Sequence, residues 1–182
     1  MKIEDGTGKG FSVAVDSENR LTTFATTEVE DKQINREGKQ WSAYFTVTPT
    51  GAGDYFFYLK NTGTNDIAIS DIRIMGTLVD TINYKYVSGT PAGGTSLEIT
   101  NRNTGSSKTP TATIETGADI TGLIDEGTVF FERIATADTR YKLTTSSNMI
   151  IGQGGALAFE AVTGTGLITC VVSITEIGSS EC

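Results

Sequence analysis

The stretch from residue 149 to residue 177, MIIGQGGALAFEAVTGTGLITCVVSITEI, constrains this chain most. In an extended conformation Ala156, Ala158, Glu160 and Val162 share one side, and Leu157, Phe159 and Ala161 share the other. Beyond Thr163-Gly164-Thr165-Gly166, residues Ile168, Cys170, Val172 and Ile174 line one face, with Thr169, Ser173 and Thr175 mostly opposite. A period of two marks half-buried antiparallel strands. The two glycines supply the positive-φ positions that a short hairpin loop requires. The pattern predicts an all-β domain whose last sheet is closed by this hairpin.

The same reading carries back along the chain. Strands are predicted over 41–48, 55–60, 67–75, 81–87, 97–100, 111–115, 129–134 and 141–144. Turn residues interrupt them at 49–54 and 61–66. Ser70-Asp71 allows a bulge in the third strand, and alternation sends two of the four aromatic residues Tyr55, Phe56, Phe57 and Tyr58 into the core. Residues 116–127 have room for one helical turn, although Gly117 and Gly122 argue against a longer helix. About ten strands, spaced roughly 8–12 residues apart with no amphipathic helix, predict a β-sandwich or barrel. Strands alternating with long loops favour an antiparallel, jelly-roll-like sandwich. The immunoglobulin pattern would want a Cys–Trp–Cys spacing that is absent here.

Residues 1–40 differ from this body. Phe11 to Val15 and Leu21 to Thr26 are short strand candidates around the polar turn 16–20, while 27–39 is charged, with Val29 and Ile34 its only larger aliphatic residues. Too few large apolar side chains are present for an independent core. The expected organisation is an extended N-terminal arm with a small hairpin over 1–40, followed by a β-sandwich domain over 41–182.

At 182 residues the chain can bury roughly 70% of its unfolded surface, enough for a core without staples. It contains no histidine, which removes His-based triads, His–metal clusters and the commonest general base. The net charge of −8, with no basic stripe, argues against nucleic acid or anionic lipid as partner. Met1 to Asp5 turns acidic at once, and no run approaches the ~18 apolar residues of a membrane span. Neither secretion nor a membrane is therefore expected. Cys170, on an apolar strand face, and Cys182, the last residue, are expected to be free thiols in a chain folded in a reducing cytoplasm.

Candidate sites for chemistry fare poorly. Gly6 to Gly10 lacks the spacing of a phosphate loop and precedes a strand pattern rather than a helix. The pairs Asp16/Glu18 and Asp125/Glu126 offer carboxylates for Ca²⁺ or for glycoside hydrolysis. Ca²⁺ takes six to eight oxygens, and a hydrolase needs two carboxyls facing across a cleft, so solvated turns explain both pairs better. The outward members of 55–58 could form a sugar platform, and 101–108 reads as an exposed loop. No catalytic, cofactor or metal site emerges, and the expectation is a protein that is not an enzyme.

The opening Asp5-Gly6-Thr7-Gly8-Lys9-Gly10-Phe11-Ser12-Val13-Ala14-Val15-Asp16-Ser17-Glu18-Asn19-Arg20-Leu21 is similar to the GTG-x-G … V-x-x-x-N-R-L openings of tailed-bacteriophage virion proteins. Asn101 to Ser107 and Gly152-Gln153-Gly154-Gly155 before the alternating close resemble the same class. The resemblance implies a head decoration, or cement, protein on the exterior of a phage particle, assembled in the host cytoplasm. It implies the major capsid protein or other virion proteins as partners, and a homo-oligomer, with a trimer favoured. The arm is then the docking element, with Phe11, Val13, Val15, Arg20, Leu21 and Phe24 as its expected contact residues.

Two other readings compete. In a tail- or neck-associated, receptor- or glycan-binding module, the loops 88–95 and 101–108 would carry recognition. A cellular carbohydrate-binding or hydrolytic β-sandwich would need an aromatic or carboxylate cleft that the sequence does not assemble.

Overall fold

The computed structural model describes residues 30–143 and 149–178. The chain divides into two units, Met1–Lys32 and Gln33–Cys182. The arm hairpin, all six expected docking residues, the Gly6–Gly10 stretch, Asp16/Glu18 and Cys182 lie outside the described residues.

The second unit is an all-β sandwich. Its strands are β1 (Gln40–Val47), β2 (Asp54–Asn61), β3 (Asp66–Gly76), β4 (Asp80–Ala92), β5 (Thr95–Ser96), β6 (Ile99–Asn101), β7 (Ala112–Thr116), β8 (Thr121–Ile134), β9 (Tyr141–Leu143), β10 (Met149–Ile151), β11 (Ala156–Ala161) and β12 (Ile168–Ile177). One sheet has the order β10-β3-β12-β1-β6, with β9 also paired to β3, and the other runs β5-β7-β2-β11-β4-β8. Every pairing is antiparallel. Without β5–β7 and β9, the layers are β1-β12-β3-β10 and β2-β11-β4-β8. Apart from the β4–β8 pair, successive strands alternate between layers. That is the jelly-roll order expected from the sequence.

The insert between β4 and β8 seals one flank of the sandwich. β6 extends one sheet beside β1, and β7 extends the other beside β2. At the opposite flank β8 ends its sheet, and β9 and β10 end theirs.

Three expectations need correction. β11 and β12 do not form a hairpin, because β11 pairs with β2 and β4, whereas β12 pairs with β1 and β3. The Thr163–Gly166 turn carries the chain from one layer to the other. Local alternation had placed the faces correctly, since Leu157, Phe159 and Ala161 join the main core with Ile168, Cys170, Val172 and Ile174. Which strands lie beside them depends on distant partners.

The helical turn allowed over 116–127 is absent, and the expected loop 88–95 is largely strand. β4 runs on to Ala92 against Thr121. Gly89 (φ +94°) and Gly122 (φ +76°) permit this close approach. A Cβ on Gly89 would lie 2.4 Å from the Gly122 carbonyl oxygen, and one on Gly122 would lie 2.4 Å from that of Thr90.

Within the charged 27–39 stretch, Glu30–Arg36 forms a short helix, α1. It stops at Gly38, whose φ of +71° no β-carbon opposes. The Gly38 amide donates to the Asn35 carbonyl and the Lys39 amide to that of Ile34, the paired bonds of a Schellman ending.

Aromatic rings cross the core from sheet to sheet. Phe45 stacks on Phe57 (5.3 Å), Phe57 meets Phe159 (4.5 Å), and Phe159 meets Tyr84 edge-on (4.7 Å). Phe56 and Phe57 both enter the main core although they are adjacent. The cause is a bulge: Phe159 faces Phe57 and Glu160 faces Tyr55, so Phe56 is the extra residue. Tyr58 turns instead to a second cluster with Val87, Ile120, Ala156 and Ala158. The bulge anticipated in β3 is present at Ser70, between the pairs Ser173–Asp71 and Ile174–Ile69. Cys170 is free and fully buried in the main core, and burial pushes its thiol pKa far up.

Candidate interaction surfaces

β8 is the most exposed of the long strands of the sandwich. Among the described residues it pairs on one side only, with β4. Its large apolar side chains stay open to solvent: Ile124 is 61% exposed, Val129 40%, Phe130 38% and Phe131 63%. The aromatic ladder of the core runs out onto this edge. Tyr84 touches Phe130 at 5.9 Å, and Phe130 stacks on Phe131 at 6.3 Å. Tyr86 and Ile150 add exposed apolar surface nearby, with the Tyr86 hydroxyl 3.4 Å from the Ile150 carbonyl oxygen. A long edge strand with apolar side chains invites pairing with another chain unless something covers it.

The opposite flank is concave. A cleft of about 300 Å³ opens there, lined by Leu97, Ile99, Pro110, Ala112 and Ile114, with Ser96, Thr109 and Thr113 at its polar margin. The neighbouring loop 101–108 is committed internally. Asn103 Nδ2 donates to the Arg36 carbonyl, Lys108 Nζ to that of Glu37, and Asn101 Nδ2 to that of Gly38. These bonds satisfy carbonyls that the end of α1 leaves open. The Trp41 indole N–H donates to the Lys108 carbonyl from the other side. The loop, mostly exposed as read from sequence, thus also clamps the end of α1.

On the outer face of the β8 sheet, Lys85 Nζ donates to Asp125 Oδ2 (2.7 Å) and Glu160 Oε1 (2.9 Å), and Asn83 also donates to Glu160. Burial by itself lowers the Lys85 pKa, but the two carboxylate bonds outweigh it and hold the ammonium well above the usual lysine range. The bond from Lys85 lowers Asp125, with help from the Gly127 amide. Glu126 accepts from Ser88 Oγ. Asp125 and Glu126 are therefore engaged in separate contacts and do not face each other across a cleft. Of the four aromatics in 55–58, only Tyr55 borders this polar cluster, with its ring 5.8 Å from Lys85 Nζ.

Lys85→Met should reduce stability by about 1–3 kcal/mol at neutral pH, because it strands two carboxylates in a half-buried site. A raised ammonium stabilises fully below the ordinary lysine pKa, and its contribution is lost as pH rises through the folded value. A lowered carboxyl stabilises fully above the ordinary aspartate pKa, and its contribution is lost as pH falls through the folded value. The deficit of the variant should therefore shrink in strong acid. Urea titrations at neutral and acidic pH check this, and an equal deficit at both would show that Lys85 acts by packing alone.

On the outer face of the other sheet, Tyr44, Val171, Arg73 and Lys142 form one cross-strand row. Tyr44 is 64% exposed and borders a small cleft of about 120 Å³ with Arg73, Arg140 and Thr169. Arg73 and Lys142 both approach Asp71, at 2.9 and 3.7 Å.

The geometry defines a jelly-roll sandwich with exposed apolar side chains on one flank and a cleft of mixed polar and apolar lining on the other. No protein-family model matches the chain, no curated protein matches it, and no solved structure matches it. Among the described residues, no helix is long and apolar enough to cross a membrane.

The sequence marked 129–134 as a strand but missed the importance of this surface. One signal was available: Thr128-Val129-Phe130-Phe131 is bulky on consecutive positions, as in a strand with apolar contacts on both faces.

Proposed function

We propose that this chain is a non-enzymatic structural protein of a tailed-bacteriophage virion: a head decoration protein that binds the capsid surface as a homo-oligomer, with its N-terminal arm as the docking element. The observation that carries the reading is the β8 flank, where Val129, Phe130 and Phe131 are exposed on an edge that is unpaired among the described residues. Such an edge is a hazard to a free monomer and an asset to a protein that works assembled. The phage-like opening of the sequence and the jelly-roll order support the same reading, and a trimer at capsid threefold positions is its simplest form.

A second reading, a tail- or neck-associated glycan-binding module, draws on the exposed Tyr44 ring beside Arg73 and Arg140. An exposed aromatic ring and guanidinium groups are suited to sugar and carboxylate contacts. The clamped state of 101–108 counts against that loop as its recognition element.

Co-sedimentation with particles of the encoding phage tests the choice. The comparison is between the full chain and a chain lacking residues 1–29, which retains α1 and the whole sandwich. Particle binding that disappears with the arm is expected. Arm-independent binding to host cells or their glycans, without binding to particles, would replace the decoration reading with the second.

A further inference from the structure

We propose that the outer face of the sheet holding β1, β12, β3 and β9 binds a carboxylate-bearing sugar, with Tyr44 under the sugar ring and Arg73 and Arg140 on the acid group. This names a ligand class for the surface behind the glycan-binding reading, on which it rests, and it needs neither the arm nor an oligomer.

Strand register assembles the site. Arg73 on β3 lies opposite Lys142 on one side and Val171 on the other, and Val171 in turn lies opposite Tyr44. Two residues on, Thr46, Thr169 and Met75 form the next row of the same face. Arg140, just before β9, helps to line the cleft of about 120 Å³ between these rows.

The site has more positive charge than its own acids neutralise. Arg73 and Lys142, both about half exposed, are like charges directly opposite each other, an arrangement that repels. Asp71, two residues before Arg73, is already shared between them. It accepts from Arg73 Nε at 2.9 Å on Oδ2, while Lys142 Nζ stands 3.7 Å from Oδ1, which accepts no hydrogen bond. Arg140 forms no ion pair among the described residues, and neither does Asp138, exposed in the loop that leads to it. Three cations against these two acids leave a positive excess, in a chain whose net charge is −8. Arg73 spends only its Nε on Asp71, so its terminal amino groups remain for a ligand. A guanidinium takes a carboxylate through two parallel N–H bonds.

Tyr44 selects a sugar as the carrier of that acid. Its ring is 64% exposed, and Ser42, Thr46 and Thr169 around it are short, so it stands clear beside the cleft. The apolar C–H face of a sugar packs on such a ring, while its hydroxyls stay in water. The cleft falls well below the roughly 300–1,000 Å³ that encloses a whole drug-sized ligand. It has room for the acid group, with the rest of the sugar lying across Tyr44.

NMR titration of the isotope-labelled full chain with D-glucuronate and with N-acetylneuraminate tests this. At least one of the two should shift the amides of Tyr44, Arg73, Arg140 and Val171 and saturate. D-glucose, which lacks the acid group, and acetate, which lacks the ring, should each bind about tenfold more weakly or less. Arg140→Ala should erase the advantage of the acidic sugar over glucose, and Tyr44→Ala its advantage over acetate. Both positions are exposed, and circular dichroism confirms the fold of each variant.

If neither acidic sugar shifts these amides, the site is wrong. Tighter binding of an oligoglutamate peptide at the same amides would make the partner an acidic protein surface and overturn the sugar. Tyr44→Ala and Arg140→Ala should co-sediment with phage particles as the wild type does; loss of that binding would make this face a capsid contact instead. Particle binding by a chain that ignores both acidic sugars would remove this site and leave the decoration reading standing.

Discussion

Phe159→Ala is expected to lower unfolding free energy by about 3–5 kcal/mol, the largest single-residue effect in the sandwich. Phe159 is fully buried on β11, a central strand, and touches three rings: Phe57 at 4.5 Å, Tyr84 at 4.7 Å and Phe56 at 6.0 Å. Those rings come from β2 and β4, the strands paired on either side of β11. Truncation leaves a cavity between two strands that backbone hydrogen bonds hold in place, so the walls cannot close over it. A domain of this size has about 5–15 kcal/mol to lose, and the variant should unfold at markedly lower urea or fail to accumulate. A loss below about 1.5 kcal/mol would mean that the site relaxes and the ladder is not rigid.

The second large effect is expected at Asp80, a buried carboxylate at the start of β4. It accepts hydrogen bonds from the amides of Thr81, Thr163 and Gly164 and from the Thr163 hydroxyl. These bonds organise the turn that carries the chain from β11 to β12, between the two layers. Asp80→Ala leaves the Thr163 and Gly164 amides without their acceptor and should cost about 2–4 kcal/mol. Asp80→Asn keeps the shape but weakens the acceptor and should cost less. Urea titration measures the loss, and hydrogen exchange should speed up at Thr163 and Gly164 before it does elsewhere. Uniform acceleration across the sandwich would indicate a global role instead of a local one.

The Asp80 result also marks where the sequence stopped being informative. Alternation over 149–177 assigned faces correctly, because a strand's two sides depend only on its own residues. It failed on partners. β11 and β12 read as a hairpin because a Gly-Thr turn joins them, yet the hydrogen bonds that place each strand come from β1–β4, 71 to 135 residues earlier in the chain (Tyr86 to Leu157 and Gln40 to Thr175). Nothing local announces that Asp80 will reach Thr163. The same limit explains 88–92 and 121–127, read as loop and possible helix, where two glycines let the backbones approach.

The candidate surfaces were harder still to see. Phe131 is apolar in a predicted strand, so a periodic reading places it in a core, and Ile124 lay in the stretch where a helical turn was allowed. Their exposure follows from β8 being the last strand of its sheet, a property of topology. The cleft on the other flank combines residues from β5, β6 and β7, which join different sheets. The clamp of 101–108 on α1 was hidden for a related reason, because Asn and Lys look solvated until their carbonyl partners are in place.

The most direct test of the decoration reading is a count of copies per particle at saturation. Purified phage particles stripped of the protein would be mixed with an excess of the full chain, pelleted, and quantified by mass spectrometry against the major capsid protein. The reading predicts hundreds of copies, in a fixed ratio to the capsid protein. A saturating count of a dozen or fewer would place the protein at the neck or tail and contradict the account.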